Sequence, residues 1–370
     1  MQAGLVTVED AARTYDFGAT HPLRPERVLL TYDNITKCGL DAPDIVEELQ
    51  GRSATVAEIE KAHSAEYVSV VQALDDGSLP PREGLSYGLG TPDDPIFPGM
   101  HAAAAAVCGA TIVAAEAVAA GQMKRAFNPA GGLHHARRSE ASGFCIYNDP
   151  AVAIARVLDM HPEWRVMYLD VDVHHGDGVQ WIFYDDPRVL TLSLHQSGNY
   201  LYPGTGFENE IGTGDAVGTS ANIPFMPFTG QDDYLWALGE VLPALAAAYK
   251  PDLLLTQLGA DTHHGDPLAN LGLTMAAYAP MAALIAQTAD EHCSGRWVAT
   301  GGGGYQAETV VPKVWTVHFA EMCGRPDAIP QEWLEDEAPE DVSRSYRESV
   351  QRSVVAVLDA CVSRLEALSR

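Results

Sequence analysis

The sequence predicts an α/β protein with helices on both faces of a mostly parallel sheet. From residue 101 onward, short apolar segments alternate with helical ones, which is the pattern of right-handed βαβ units. Residues 166–173 carry the strongest strand signal, because an apolar run continues into two β-branched residues, as in a strand buried on both faces. No linker or internal repeat divides the 370 residues, so we expect a single domain over residues 1–370.

The alternation places the elements in order along the chain. HPLRPER at 21–27 is typical of an extended loop before a helix that begins near Val28, and residues 41–79 indicate helix and loop. The Gly- and Pro-rich stretch 85–99 indicates a functional loop, and 340–369 an amphipathic helix packed on the outside. Strands are expected at 125–128, 166–173, 189–194, 253–257 and 296–300, and helices at 101–120, 149–159, 178–184, 231–249, 274–291 and 307–322.

Composition and charge argue against several classes of function. The formal charge of −27, from 50 acidic and 23 basic residues, argues against direct nucleic-acid binding. It fits either a cationic substrate or solubility alone. The six cysteines are scattered without a CxxC pair, and the N-terminus lacks the blocks of a signal peptide, so we expect reduced thiols in a cytoplasmic protein. The apolar run 101–120 indicates a buried helix rather than a membrane span, and no membrane partner is expected.

Polar side chains cluster where predicted strands end. Because side chains alternate along a strand, Asp170, Asp172 and His174 share one face near a strand's C-terminal end, where open α/β sheets bind ligands. Ionised carboxylates are rarely buried without a charged partner or a metal. Asp172, His174 and Asp261, which ends a later strand, therefore form a candidate mononuclear metal site. Zinc suits this donor set, with Fe(II) or another divalent ion as alternatives.

A second group of residues could supply acid–base chemistry. His134 and His135 follow a predicted strand, and Asp170 and Asp177 remain as carboxylates that can orient the two imidazoles. Tyr305 follows four glycines at the end of another predicted strand, where its hydroxyl could donate a hydrogen bond to an oxyanion.

Six motifs together resemble those of one known family. They are GGLHHARRSEASGFC at 131–145, DVDVHHGDG at 170–178, SLHQ at 193–196, YPGTG at 202–206, QLGADTHHGDPL at 257–268 and GGGGY at 301–305. Their order and spacing resemble the zinc-dependent histone deacetylase superfamily, and TPDDPIFPGMH at 91–101 is most similar to its bacterial acetoin-utilisation deacetylases. The resemblance implies the three-layer α/β/α arginase/deacetylase fold around an eight-stranded sheet. The motif-bearing core is expected at about 15–320, with the final helix outside.

The resemblance also implies roles for individual residues. The implied zinc ligands are Asp172, His174 and Asp261, and the implied catalytic residues are His134, His135, Asp170, Asp177 and Tyr305. The implied substrate contacts are Asp94, with Asp93 as second choice, Gly143, Phe144, Tyr202, Leu268 and Gly303. A structural potassium ion would use Asp170, Asp172, His174, Ser193 and Leu194. Arg27 matches the family arginine, and Tyr202 stands where phenylalanine is usual. His263-His264 differ from the small or apolar residues that are common after GAD in the eukaryotic enzymes.

These patterns lead us to expect a zinc-dependent amidohydrolase. Its substrate would be acetyl-lysine in proteins or, alternatively, an acetylpolyamine or another small acyl amide. A binuclear manganese ureohydrolase would share the fold but needs additional Asp ligands around residues 134 and 261. A catalytically silent acyl-lysine-binding module would lack part of the site. The oligomeric state is left open.

Overall fold

All neighbouring strands of the sheet are parallel. The computed structural model describes residues 2–339 and 341–369. The strands are β1 (Ala3–Thr7), β2 (Val46–Gln50), β3 (Arg125–Asn128), β4 (Val166–Asp170), β5 (Val189–Gln196), β6 (Ser220–Phe225), β7 (Leu253–Gln257) and β8 (Trp297–Thr300). Their order across the sheet is β2-β1-β3-β8-β7-β4-β5-β6.

Helices cover both faces of this sheet. They are α1 (Glu9–Thr14), α2 (Glu26–Lys37), α3 (Val56–Ile59), α4 (Ala65–Asp75), α5 (Met100–Ala119), α6 (Asp149–Met160), α7 (Asp177–Ile182), α8 (Gln231–Tyr249), α9 (Tyr278–His292), α10 (Val311–Met322) and α11 (Arg347–Leu368). Short 3-10 helices lie at Pro81–Tyr87, Gly214–Ala216, Met275–Ala277, Pro326–Ala328 and Gln331–Trp333. The predicted fold class is therefore confirmed.

The two faces of β4 belong to two separate hydrophobic clusters. Met167 and Leu169 are buried in the cluster that includes α2 and α8 to α11, and Val171 and Val173 beyond the strand join it. Tyr168 is buried in the cluster that includes α4, α5 and α6. This alternation is the reason that Asp170, which follows Leu169, points away from the first cluster.

Three strands were missed in the sequence. The expectation of only helix and loop over residues 41–79 was wrong, because β2 lies there as an edge strand whose side chains are mostly exposed. β6 is the other edge strand, and Pro224 weakens its strand pattern. β1 is short and was hidden in the N-terminal segment. Edge strands lack the continuous apolar run of a central strand, so their sequences are less distinctive.

Some element boundaries also differ from those expected. β4 ends at Asp170 rather than 173, because the chain leaves the ladder before the polar segment that follows. α9 begins after the 3-10 turn Met275–Ala277, and α10 begins at Val311 rather than 307, with Pro312 in its first turn. α11 begins at Arg347 rather than 340 and packs against α8 and β6, so that it covers one edge of the sheet.

One helix among the described residues, α5, is long and apolar enough to cross a membrane by length and composition. Most of it is buried inside the fold, where it packs against α6 and β3. The apolar run at 101–120 is therefore a core helix.

Candidate active site

The candidate site lies at the carboxyl edge of the sheet, where four adjacent strands end. β3, β8, β7 and β4 are neighbours and parallel, so the loops that follow them meet in one place. These loops carry His134 and His135 after β3, Asp172 and His174 after β4, Asp261 after β7, and Tyr305 after β8. The structure thus brings together residues that are up to 171 positions apart in the sequence, from His134 to Tyr305.

Asp172, His174 and Asp261 form a buried group of potential metal ligands whose ligand atoms all lie within 4.8 Å of one another. His174 Nδ1 lies 3.1 Å from Asp172 Oδ1 and 3.2 Å from Asp261 Oδ2. The remaining carboxylate oxygens are held by the protein. Gln257 Nε2 donates to Asp172 Oδ2 at 2.6 Å, and the Val173 N–H donates to Asp261 Oδ1 at 2.9 Å. One oxygen from each carboxylate and one imidazole nitrogen therefore face each other.

The electrostatics of this group favour a bound cation. Burial and the negative charge of Asp172 raise the pKa of Asp261 to about 7. Burial lowers the pKa of His174, but hydrogen bonds and charge from Asp172 and Asp261 outweigh burial and raise it to about 10. The two carboxylates repel each other and are stabilised by any positive charge between them. Two carboxylates and one imidazole at these positions fit a zinc or Fe(II) ion.

Gly303 lies directly against both candidate ligand carboxylates. Its N–H donates to Asp172 Oδ2 at 2.7 Å. A Cβ atom at this position would lie 2.1 Å from Asp261 Oδ2 and 2.6 Å from Asp172 Oδ2. Only glycine lets the backbone approach this closely. Gly303 was expected to contact substrate, and the structure places it where it supports the ligand group.

The tandem histidines each pair with a different carboxylate. His134 Nδ1 lies 2.7 Å from Asp170 Oδ2, and His135 Nδ1 lies 2.8 Å from Asp177 Oδ1. The two Nε2 atoms are 3.1 Å apart. Arg137 donates to the second oxygen of Asp177 at 3.0 Å and 3.2 Å. Each imidazole is therefore oriented by a fixed carboxylate, as general acid–base chemistry requires.

The pKa values of the two histidines are shifted in opposite directions. Burial lowers the pKa of His134, but the charges of Asp170 and Asp172 outweigh burial and raise it to about 9. Burial, together with the neighbouring His134, lowers the pKa of His135 to about 4. Near neutral pH His134 is therefore the positively charged imidazolium of the pair, while His135 is a neutral imidazole that can act as a base.

Tyr305 is positioned through its backbone. Its N–H donates to Asp266 Oδ2 at 2.8 Å. The buried guanidinium of Arg27 donates to the carbonyls of Gly302 at 2.7 Å and Gly304 at 3.1 Å, which fixes the glycine loop before Tyr305. The Tyr305 ring stands edge-on to that of Phe144 at 5.7 Å. Burial and the charge of Asp261 raise the pKa of the Tyr305 hydroxyl, so the hydroxyl remains a hydrogen-bond donor.

A cavity of about 230 Å³ leads to this group. Its lining residues are Asp93, His135, Gly143, Phe144, His174, Leu201, Tyr202, Leu268 and Tyr305. Gly143 and Phe144 have φ of 55° and 71°. A Cβ on Gly143 would lie 2.4 Å from His135 Cδ2, so glycine is needed at this position. Tyr202 forms a hydrogen bond to the Ser142 hydroxyl, and its ring lies 5.1 Å from that of His135.

The two neighbouring aspartates take different positions. Asp93 is exposed and lines the cavity, whereas Asp94 is buried. Among the described residues, Asp94 Oδ1 has no hydrogen-bond partner, and burial raises the pKa of Asp94 to about 8. Asp94 was the first choice for the rim and Asp93 the second, but Asp93 is the one that lines the cavity. Adjacent residues in an irregular loop have no periodicity that indicates which one points to the cavity.

The residues expected to hold a potassium ion lie on β4, on β5 and in the loop that follows β4. Asp170 pairs in register with Ser193 across β4 and β5. Asp170 Oδ1 accepts the N–H of Asp172 at 3.1 Å, and the carbonyl of Leu194 accepts the hydroxyl of Tyr234 at 3.2 Å. Carboxylate, hydroxyl and carbonyl oxygens are thus gathered here, which is the ligand chemistry of hard cations.

Several supporting residues were not singled out in the sequence. Asp149 is fully buried, and its carboxylate accepts the N–H groups of Gly132 and Leu133 at 2.8 Å to 3.1 Å, which fixes the loop that leads to the tandem histidines. Gln257 and Asp266 lie within the QLGADTHHGDPL motif, so motif membership was a signal that could have identified them. Asp149 lies outside every motif, and only the structure reveals its part.

Comparisons with known proteins agree with this geometry. A family model described as "Histone deacetylase domain" matches residues 21–322, which is most of the chain. The chain belongs to the histone deacetylase family.

Curated relatives of this histone deacetylase family member span most of its length. The acetoin utilization protein AcuC of Bacillus subtilis (strain 168) is 46% identical over 325 residues, which are 87% of this chain and 83% of the relative. AcuC of Staphylococcus aureus (strain MRSA252) is 33% identical over 328 residues, 88% of this chain and 84% of the relative. AcuC of Staphylococcus xylosus is 32% identical over 324 residues, 86% and 83% of the two chains.

Proposed function

We propose that this protein hydrolyses the N-acetyl amide of acetyl-lysine side chains in a zinc-dependent reaction. One observation carries the proposal. His135 of the carboxylate-oriented histidine pair and Tyr305 line one cavity, together with His174 of the buried Asp/His/Asp group. A linear acyl-lysine chain fits a cavity of this size, with its amide beside His135, His174 and Tyr305.

Asp172, His174 and Asp261 would hold the zinc ion, with Fe(II) as the alternative. When bound, the ion supplies Lewis acidity toward the amide oxygen and lowers the pKa of a water molecule. A structural potassium site is a further part of the proposal. It is supported by the side-chain and backbone oxygens of Asp170, Asp172, His174, Ser193 and Leu194, since Asp170 and Ser193 pair across β4 and β5. The free state of all six cysteines supports a cytoplasmic location.

The histidine pair would handle the protons. His135 lines the cavity and is neutral near pH 7, because its pKa is lowered to about 4, so it can take the proton of the attacking water. His134 contacts His135 through the two Nε2 atoms and carries the proton that the pair can return to the leaving amine. Asp170 and Asp177 hold the rings in place throughout.

Tyr305 would stabilise the oxyanion. Its hydroxyl stays protonated, because burial and neighbouring carboxylates raise its pKa, and it stands on the cavity wall next to Phe144. A donor fixed before reaction begins stabilises negative charge that develops on the amide oxygen. Arg27 and Asp266 fix the loop that carries it.

The acidic mouth also suits a second substrate class, the acetylpolyamines. Asp93 lines the mouth, and the net charge of −27 attracts any cationic acyl amide.

A binuclear ureohydrolase is disfavoured. Among the described residues, the second group of potential ligands, His263, His264 and Asp336, shares no residue with the first, so no carboxylate bridges two ions. A silent binding module is disfavoured because every expected catalytic position is filled.

The test combines metal analysis with activity. The zinc-loaded wild type should deacetylate an acetyl-lysine peptide faster than acetylspermidine, and a zinc-chelating hydroxamate should inhibit it. Asp172→Asn should lose zinc and activity together, while Asp185→Asn, an exposed carboxylate, serves as the matched control and should keep both. Faster turnover of acetylspermidine would redirect the substrate assignment. An Asp172→Asn variant with full zinc content and turnover would refute the site.

A further inference from the structure

We propose a second metal site, formed by His263, His264 and Asp336, that binds a first-row divalent cation such as Zn²⁺ or Co²⁺. We call these three residues the clasp site. Their ligand atoms all lie within 4.8 Å of one another, as do those of the candidate catalytic group. The clasp site joins the loop after β7 to the segment that precedes α11. It takes no part in the proposed hydrolysis.

Both imidazoles of the clasp site point the same nitrogen at one oxygen. His263 Nε2 lies 2.8 Å and His264 Nε2 lies 3.0 Å from Asp336 Oδ2, and the ring centroids are 4.4 Å apart. Ligand bonds of about 2.1 Å at right angles place neighbouring donor atoms about 3 Å apart. The two nitrogen–oxygen distances therefore fit donor atoms that share one ion, and two histidines with one carboxylate are a common set of ligands for divalent metals.

The surrounding contacts preorganise these ligands. Asp336 Oδ1 accepts the Met275 N–H at 2.7 Å, which aims Oδ2 at the imidazoles. The His264 N–H donates to the Leu273 carbonyl at 2.8 Å, which holds the backbone between the rings. The side chains of His264 and Asp336 are 17% and 25% exposed, so an ion and its remaining water ligands can reach the site. Ligand orientation by a second layer of hydrogen bonds is usual around bound metals.

One contact opposes binding and limits the affinity. The Gly265 N–H points at His263 Nδ1 at 3.2 Å, which places the His263 proton on Nε2 in the absence of an ion. An ion on Nε2 requires that proton to move to Nδ1, so this hydrogen bond must break. We therefore expect the clasp site to bind metal more weakly than the catalytic group, and its role to be structural. A bound ion would restrain the segment from Asp261 to Asp266. The carboxylate of Asp266 accepts the backbone N–H of Tyr305.

Metal stoichiometry tests the proposal independently of turnover. Full-length protein is stripped with a chelator, dialysed against a small excess of Zn²⁺ or Co²⁺, and its bound metal is measured by mass spectrometry. Wild type should hold two equivalents. Asp336→Asn and His264→Gln should each hold one, Asp172→Asn should hold one, and the Asp172→Asn/Asp336→Asn double variant should hold none. Glu337→Gln, an exposed neighbour of Asp336, is the control and should hold two.

Two further readouts separate metal binding from hydrogen bonding. Co²⁺ added to Asp172→Asn should give visible absorption bands that Asp336→Asn abolishes, and it should raise the Tm of Asp172→Asn but not of the double variant. Circular dichroism establishes that each variant is folded before it is counted. One equivalent in wild type, lost in Asp172→Asn and unchanged in Asp336→Asn and His264→Gln, would overturn the proposal and leave the three side chains as a hydrogen-bonded group. If Asp172→Asn retained two equivalents, the catalytic assignment would fail instead.

Discussion

Replacement of Tyr305 by phenylalanine isolates a single hydroxyl group. Among the described residues, Tyr305 donates its backbone N–H to Asp266, and phenylalanine keeps that hydrogen bond. The ring contacts with Phe144 at 5.7 Å and His174 at 6.5 Å also remain. The folded state therefore loses no internal hydrogen bond, and we expect the free energy of unfolding to change by less than about 0.5 kcal/mol.

The catalytic cost should be much larger. Loss of one oxyanion donor reduces kcat by about 10²–10³, which corresponds to about 3–4 kcal/mol. The loss should appear in kcat more than in KM, because the hydroxyl contacts the oxygen most strongly once charge has developed on it. Zinc content and the affinity for a hydroxamate that chelates zinc should be close to those of wild type.

Tyr202 provides the matched control on the same cavity wall. Its hydroxyl forms a hydrogen bond with the Ser142 hydroxyl, and Tyr202→Phe introduces the residue that the family resemblance leads us to expect. We expect kcat to change by less than about threefold in this variant. Steady-state kinetics on one acetyl-lysine peptide compares the two replacements directly. A Tyr305→Phe variant within threefold of wild-type kcat would show that another group, such as a histidine, stabilises the oxyanion.

Three other outcomes are expected. The rate constant kcat/KM should rise with pH as His135, with a pKa of about 4, loses its proton, and fall as His134, with a pKa of about 9, loses its own. Asp170→Asn removes the charge that raises the pKa of His134, so the alkaline limb of the pH profile should move to lower pH. An alkaline limb that does not move would contradict the pairing of His134 with Asp170. Gly303→Ala should lower zinc affinity, measured by dialysis against chelator, because its Cβ would lie 2.1 Å from Asp261 Oδ2; full zinc retention would refute that clash. With a lysine-rich acetylated peptide, kcat/KM should fall as ionic strength rises, and this fall should be smaller in Asp93→Asn. If kcat/KM of the wild type did not depend on ionic strength, the acidic surface would serve solubility alone.

The central strands and the ligand group were predictable because their patterns are local. The buried run at β4 and the alternation of Asp170, Asp172 and His174 indicated both a parallel sheet and a cation site at its carboxyl edge. The edge strands β2 and β6 were not predictable in this way, since β2 buries few side chains and β6 contains a proline, and the short inner strand β1 was also missed. Strand register and side-chain direction in loops depend on tertiary contacts.

Dependence on tertiary contacts also explains why some supporting residues of the site were not predicted from the sequence. Asp266 supports Tyr305 through a backbone N–H 39 residues later in the chain, and no periodicity encodes such a contact. Asp149 supports the loop before the tandem histidines from the N-terminus of α6, where an acidic residue would be unremarkable. His263 and His264 were visible as an unusual pair, but their partner Asp336 is more than 70 residues away.

The position of β8 in the sheet determines when the sheet can be completed during synthesis of the chain. β8 is the last strand in the sequence and lies in the middle of the sheet, paired with β3 on one side and β7 on the other. Until the ribosome has released Trp297–Thr300, the strands made earlier can form only two separate half-sheets, one with His134 and His135 and the other with Asp172, His174 and Asp261. Insertion of β8 joins them and delivers Tyr305 in the same step. A nascent or truncated chain that ends before β8 would therefore expose two unpaired central edges and depend on chaperones. The candidate catalytic residues would not come together before synthesis of the sheet is complete.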